Sequence, residues 1–153
     1  MKGLDVVTSR KSDEWQTPPD VFRPLDAEFG FTLDVAASDT NAMCDRFFTI
    51  ADNGLAQSWG SQVCWLNPPY SEVGKWIERA HEASRKGATV VCLVPSRTDT
   101  KWWHSHAIHA DEIRWIKGRV KFRRADRTAG GAPFPSCVLV FRPVAAPCEE
   151  RDE

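Results

Sequence analysis

Val63-Cys64-Trp65-Leu66-Asn67-Pro68-Pro69-Tyr70 is the stretch on which the reading of this chain turns. Its first half is a short apolar run rich in β-formers, the pattern of a buried strand. Its second half stops any regular element. Each proline lacks an N–H and fixes φ, and Pro68 confines Asn67 to extended geometry. A plain reversal would use Pro-Asp-Gly or Asn-Gly. Here a strand is expected to run into a stiff tip presenting an amide, two carbonyls and an aromatic ring. In open α/β sheets the carboxyl ends of the strands are where ligands bind.

Working outward, Ser71 is expected to cap a helix with Val73, Trp76, Ile77, Ala80 and Ala83 at spacings of three and four, closed by Gly87. Residues 89–94 form another wholly apolar strand, cut off by Pro95. Upstream, Thr17 is read as a cap with Pro18 at the first helical position. Val21, Phe22, Leu25 and Phe29 then share one face, and Gly30 ends the helix. Residues 31–36 read as a strand entering Ala36-Ala37-Ser38, followed by a short strand at 46–50 and a loop through Asp52-Asn53-Gly54. Downstream, Thr98 or Asp99 caps a helix with Trp102, Trp103, His106 and Ala107. Strands are expected at 112–116, 119–122 and 136–141, with a basic, glycine-containing loop at 123–133.

Strands alternating with helices imply crossovers and a largely parallel sheet covered on both faces. The expected fold is α/β: a three-layer sandwich, Rossmann-like, with an antiparallel hairpin over 119–141 at one edge. One domain at 13–143 is expected, with a loose arm at 1–12 and a disordered acidic tail at 144–153.

Composition excludes several classes. At 42% hydrophobic and 27% charged residues, the chain reads as an ordinary soluble protein without a membrane span or secretory h-region. The five cysteines form no CxxC pair. Cys64, Cys92 and Cys137 sit in apolar runs, as buried thiols of a reducing, cytoplasmic compartment would. His81, His104, His106 and His109 are read as surface or core residues, and no metal is expected. Trp76, Trp102, Trp103 and Trp115 are read as core.

A net charge of −1 argues against a bulk polyanion binder, yet Arg114, Lys117, Arg119, Lys121, Arg123, Arg124 and Arg127 crowd together against Asp126 alone. Such a strip is either a positioned phosphate contact or a charge-guarded strand edge. Arg97 likewise suits a DNA phosphate or an acidic partner.

Asn67-Pro68-Pro69-Tyr70 resembles the catalytic motif of DNA amino-methyltransferases, commonly Asp/Asn/Ser-Pro-Pro-aromatic. Gln16-Thr17-Pro18-Pro19, Leu33-Asp34-Val35-Ala36-Ala37, Ala51-Asp52-Asn53-Gly54 and Phe134-Pro135 follow the order of that family's segments. With Trp15 and Arg97-Thr98-Asp99-Thr100, residues 13–142 are similar to the compact phage-type adenine-N6 methyltransferases, the Dam-like family.

The resemblance implies S-adenosylmethionine as cofactor and DNA as substrate. Gln16, Thr17 and Pro18 would hold the methionine moiety, Asp34 its amino group or the sugar, and Ala36 the close turn. Asp52 would accept from the amino group of the cofactor's adenine, and Asn67 would bridge cofactor and substrate. The ribose acid is Asp39 or Asp45. Where the family carries Gly-x-Gly, this chain has Ala36-Ala37-Ser38.

The chemistry suits these residue types. An adenine amine is a poor nucleophile, because its lone pair is delocalised into the ring. The Asn67 side-chain oxygen and the Pro68 carbonyl would bind its two N–H bonds and draw the nitrogen towards tetrahedral geometry. Pro68 and Pro69 stiffen that pair. Tyr70 and Phe134 would sandwich the extruded base, with Arg97, Arg119, Lys121 and Arg124 on DNA. The same machinery would serve cytosine N4. A non-catalytic DNA-binding relative, or a methylase of RNA or a protein amide, are the other readings.

Overall fold

Period-two alternation along three strands builds the core of this protein, a computed structural model that describes residues 16–38, 40–124, 127–128 and 132–144. The elements in chain order are helix α1 (Pro19–Phe29), β1 (Leu33–Asp34), β2 (Val63–Leu66), helix α2 (Val73–Arg85), β3 (Thr89–Pro95), helix α3 (Lys101–Ser105), β4 (Glu112–Trp115), β5 (Arg123–Arg124), β6 (Arg127–Thr128) and β7 (Ser136–Phe141). Single 3₁₀ turns stand at Gly54–Ala56, Tyr70–Glu72 and Ala107–His109.

Five strands form one open sheet in the order β1-β2-β3-β7-β4. β1, β2 and β3 pair in parallel, while β7 is antiparallel to both β3 and β4. Successive side chains therefore go to opposite faces. Cys64, Leu66, Val90, Cys92, Val94, Leu139 and Phe141 share a cluster with Trp76, Ile77 and Ala80 of α2. Trp65, Val91, Leu93, Val138 and Val140 share the other with Phe22 and Leu25 of α1. The phenyl of Phe22 meets the indole of Trp65 edge to face at 5.2 Å. Both faces are buried, and that is why β3 and β7 read as unbroken apolar runs rather than alternating ones. Cys64, Cys92 and Cys137 are free, fully buried thiols.

Several expectations shift. The antiparallel pair is not a hairpin over 119–141: β7 inserts between β3 and β4, and its partner on that side is Glu112–Trp115. Residues 119–122 form no strand. Val120 and Phe122 instead turn under the α1 face of the sheet, and the Ala132 N–H donates to the Val120 carbonyl. Their alternation satisfied burial without a ladder. Pro18, not Thr17, is the N-cap of α1, and Pro19 takes the first helical position. Ser71 does not cap α2, which Tyr70–Glu72 leads into as a 3₁₀ turn. Thr100 is the cap of α3, its hydroxyl accepting from the Trp103 N–H at 3.3 Å. At 46–50 there is one isolated bridge, Asp34 to Phe47, rather than a strand.

Arg114 leaves the basic strip. Its guanidinium holds Glu28 of α1 through two 2.7 Å bonds and also meets Glu112, which Arg142 contacts as well. His81 of α2 gathers His106, whose Nδ1 lies 3.3 Å from its own, and His109, whose ring stacks at 5.7 Å. Burial and the two neighbouring imidazoles hold His81 below its ordinary pKa. No helix among the described residues is long and apolar enough to cross a membrane. The arm at 1–12, and the tail beyond Val144, lie outside the described residues.

Candidate active site

Parallel pairing brings the carboxyl ends of β1, β2 and β3 to one edge of the sheet. Asp34 closes β1, Asn67 follows Leu66 of β2, and Arg97 lies two residues past Pro95 of β3. Beside them a cavity of about 330 Å³ opens, lined by Gln16, Thr17, Asp34, Ala36, Asn67 and Trp76 among others. That volume lies at the lower end for small-molecule sites.

The wall at β1 is electrostatically unusual. Asp34 is 3% exposed, and its carboxylate accepts from the backbone N–H groups of Ala36 at 3.3 Å and Met43 at 3.0 Å. Burial pushes its pKa up to about 6, against the lowering pull of those two bonds. The described residues offer it no ion pair. Burying a carboxylate with only neutral donors leaves its desolvation incompletely offset.

Thr17 has a use that no helix rule foretells. Its hydroxyl oxygen accepts from Asn67 Nδ2 at 3.1 Å across 50 residues of chain, which fixes the orientation of the amide within the buried tip. Pro18, the Thr17 neighbour, lies outside the cavity lining. Thr17→Val removes that acceptor while keeping the branch. Turnover is expected to fall about tenfold or more, as for the loss of one buried hydrogen bond, with Thr17→Ser restoring it. Steady-state kinetics on the three proteins check this.

Gly54 also lines the cavity, against the backbone that follows β1. A Cβ there would stand 2.3 Å from the Val35 carbonyl oxygen and 3.1 Å from the Trp76 ring. The Gly54 carbonyl also accepts from Trp59 Nε1 at 2.8 Å, so the segment has little room to retreat. Gly54→Ala is expected to cost about 1–3 kcal/mol of stability through overpacking. A denaturant melt reads this directly. Trp76, expected in the core, stacks on Trp59 at 6.4 Å and lines the cavity, with its Nε1 buried and without an acceptor among the described residues. Helical spacing could not separate a core indole from a lining one.

Asp52 stands apart from this cavity. Its Oδ2 accepts from the Thr49 N–H at 2.8 Å and the Thr49 hydroxyl at 3.1 Å, closing a turn that carries Asn53 and Ile50 into the lining. Asp45 faces a separate hollow with Asp52, and Asp39 is outside the described residues. Glu72, which sequence reading passed over, does line the main cavity.

Tyr70, Phe134 and Arg97 form a second group outside that lining. The Tyr70 ring meets Phe134 at 5.1 Å and Phe122 at 5.8 Å, both edge to face. Arg97 lies over the Phe134 ring at 5.6 Å. The two rings are therefore not a parallel pair with a slot between them. The Tyr70 hydroxyl is buried without a hydrogen-bond partner among the described residues, and burial raises its pKa. Arg119 and Lys121 are exposed, while for Arg124 only the backbone, in β5, is described.

Over residues 6–150 the chain matches the family described as DNA N-6-adenine-methyltransferase (Dam). It is 35% identical over 145 residues to the DNA N-6-adenine-methyltransferase of Haemophilus phage HP1, a match covering 90% of this chain and 84% of that protein. It is 35% identical over 107 residues to the enzyme of the same name from Escherichia phage T1, covering 69% of this chain. That second match spans 45% of the phage T1 protein's own length.

Proposed function

The chain belongs to the DNA N-6-adenine-methyltransferase (Dam) family, and on that premise we propose that it methylates the exocyclic N6 of adenine in DNA, with S-adenosylmethionine as donor. The observation that carries the reading is the meeting, at one sheet edge, of an oriented Asn67 amide and a cavity walled by a buried carboxylate. Helix α1 packs on one face of the sheet and α2 on the other, which supports reading the fold as a three-layer, Rossmann-like sandwich. Such an enzyme works where DNA is, in the cytoplasm of a bacterial host.

The cavity residues fit the donor. Asp34 suits its ammonium, since a buried anion lacking a counter-charge gains from a cation at that spot. Gln16, Thr17 and Ala36 line the same cavity, and the buried Trp76 Nε1–H offers an acceptor group a partner. Asn53 and Glu72 take over, in this proposal, the polar wall that sequence reasoning assigned to Asp52. When bound, S-adenosylmethionine supplies an electrophilic methyl on sulfur.

Everything else is positioning. Asn67 Oδ1 and the Pro68 carbonyl accept the two N–H bonds of the target amine, which raises electron density on N6 and points its lone pair away from the ring. Thr17 keeps the Asn67 amide from rotating. Pro68 and Pro69 fix the backbone on which both acceptors sit. Tyr70 packs on the extruded base after its contact with Phe134 has opened, and Arg97, which lies on Phe134, is carried with that movement onto a phosphate.

Transfer of labelled methyl from S-adenosylmethionine to unmethylated duplex DNA, followed by nucleoside analysis, tests the reading. N6-methyladenine is the expected product. N4-methylcytosine would keep the mechanism and change the substrate. Label in RNA or peptide alone would end the DNA reading.

A further inference from the structure

Trp115 is 62% exposed, at the end of the strand that closes the sheet. Tryptophan is the largest apolar side chain, and leaving one in water forfeits most of its burial energy. Nor is it loosely held. Its ring stacks on Trp103 at 5.9 Å and 27°, and Trp103 is itself 4% exposed. One face is thus fixed by the core while the indole as a whole stays open to solvent.

Register gives its position relative to the site. Trp115 pairs with Cys137, and Cys137 with Val94, so the three form one row across the sheet. Val94 lies one residue before the carboxyl end of β3, and the Ile116 N–H donates to the Ser136 carbonyl at that same end. Trp115 therefore sits at the edge that carries Asn67 and Arg97. Three strand spacings separate β2 from β4, roughly 15 Å. That is about four base-pair steps, too far for the target base yet within one duplex lying along the edge.

Charge marks the same surface. Lys117, Arg119 and Lys121 follow Trp115 directly and are exposed, whereas Arg114 is consumed by Glu28 and Glu112. On a protein of net charge −1 this is a local concentration of exposed cations beside an open aromatic. We infer that Trp115, backed by Trp103 and flanked by Lys117 and Arg119, forms a second DNA contact, its indole packing into a groove a few base pairs from the target adenine. The inference rests on the DNA reading above. It gives the chain a duplex-gripping surface within its own sheet edge.

The test is binding of duplex DNA to the full chain in the presence of S-adenosylhomocysteine, measured against salt concentration, with a thermal melt of each protein. Trp115→Ala is expected to weaken binding about tenfold at unchanged salt dependence, since the contact is apolar, with Trp115→Phe recovering much of it. Lys117→Ala and Arg119→Ala are expected to reduce the log–log salt slope by about 0.9 each. Both Trp115 proteins should melt within a few degrees of the parent and keep cofactor affinity. Duplex affinity of Trp115→Ala equal to the parent would overturn the inference. So would a loss of self-association with DNA affinity intact, which would assign the patch to a second copy of the chain. If the parent protein itself neither binds nor methylates DNA, the function reading fails and the inference goes with it. A parent that methylates normally beside an indifferent Trp115→Ala isolates the failure to this surface.

Discussion

Asn67→Ala is expected to lower methyl transfer to duplex DNA by about two to three orders of magnitude, the scale seen when one aligned polar group is removed from a transition state. The loss should fall on kcat, because the amide acts on the amine as it becomes tetrahedral more than on its resting planar form. Asn67→Asp is expected to retain a substantial part of the rate. A carboxylate also accepts an N–H, and the Thr17 hydroxyl, now an acceptor for Asn67 Nδ2, would turn to donate to it. Single-turnover transfer with saturating donor separates the step from product release. A rate for Asn67→Ala within tenfold of the parent would remove Asn67 from the chemistry and leave the tip as a structural turn.

Asp34→Asn is expected to weaken cofactor binding about a hundredfold, the range for removing one partner of a buried charge pair. The change keeps size and shape, so the fold should persist, although one of the two backbone N–H groups of Ala36 and Met43 loses its acceptor. The pH dependence carries the sign. Burial raises the Asp34 pKa from 3.8 to about 6 in the protein without ligand. The folded carboxyl therefore holds its proton between about pH 4 and 6, where the unfolded chain has released it. This group's contribution to stability is present below pH 4 and lost as pH rises through 6. A cationic ligand reverses the preference, since it needs the ionised form. Donor affinity should be flat above about pH 7 and fall towards tenfold per unit below 6, while Asp34→Asn is flat throughout. Calorimetric titration between pH 5 and 8 gives both curves. A parent affinity that ignores pH in this window would remove Asp34 from the ammonium site.

Much of this was legible in the chain because it depends on near neighbours. Val63–Leu66, Thr89–Pro95 and Ser136–Phe141 are strands where apolar runs end in proline or turn residues. α1 and α2 follow from three-and-four spacing, and Gly30 ends α1 in the left-handed region with φ of 66°. The Asn67-Pro68-Pro69 tip stands at a strand's carboxyl end because proline forbids anything else there. The positions that misled are those where a local pattern had two solutions. Val120 and Phe122 alternate like a strand but bury themselves against a sheet face. Asp52, which the family resemblance assigned to the cofactor, also has a local use that sequence does not show, its Oδ2 closing the Thr49 turn.

The sequence by itself determined the α/β alternation, the rigid Asn67 tip and the residue types gathered for amine chemistry, since backbone restriction and side-chain period act within a few residues. Only the tertiary structure decided that β7 enters between β3 and β4, that Thr17 reaches Asn67, that Trp76 walls the cavity, and that Trp115 stays in solvent. Those outcomes depend on pairing and burial between segments tens of residues apart. The same apolar side chain serves equally as core, wall or exposed contact until the sheet order selects its neighbours.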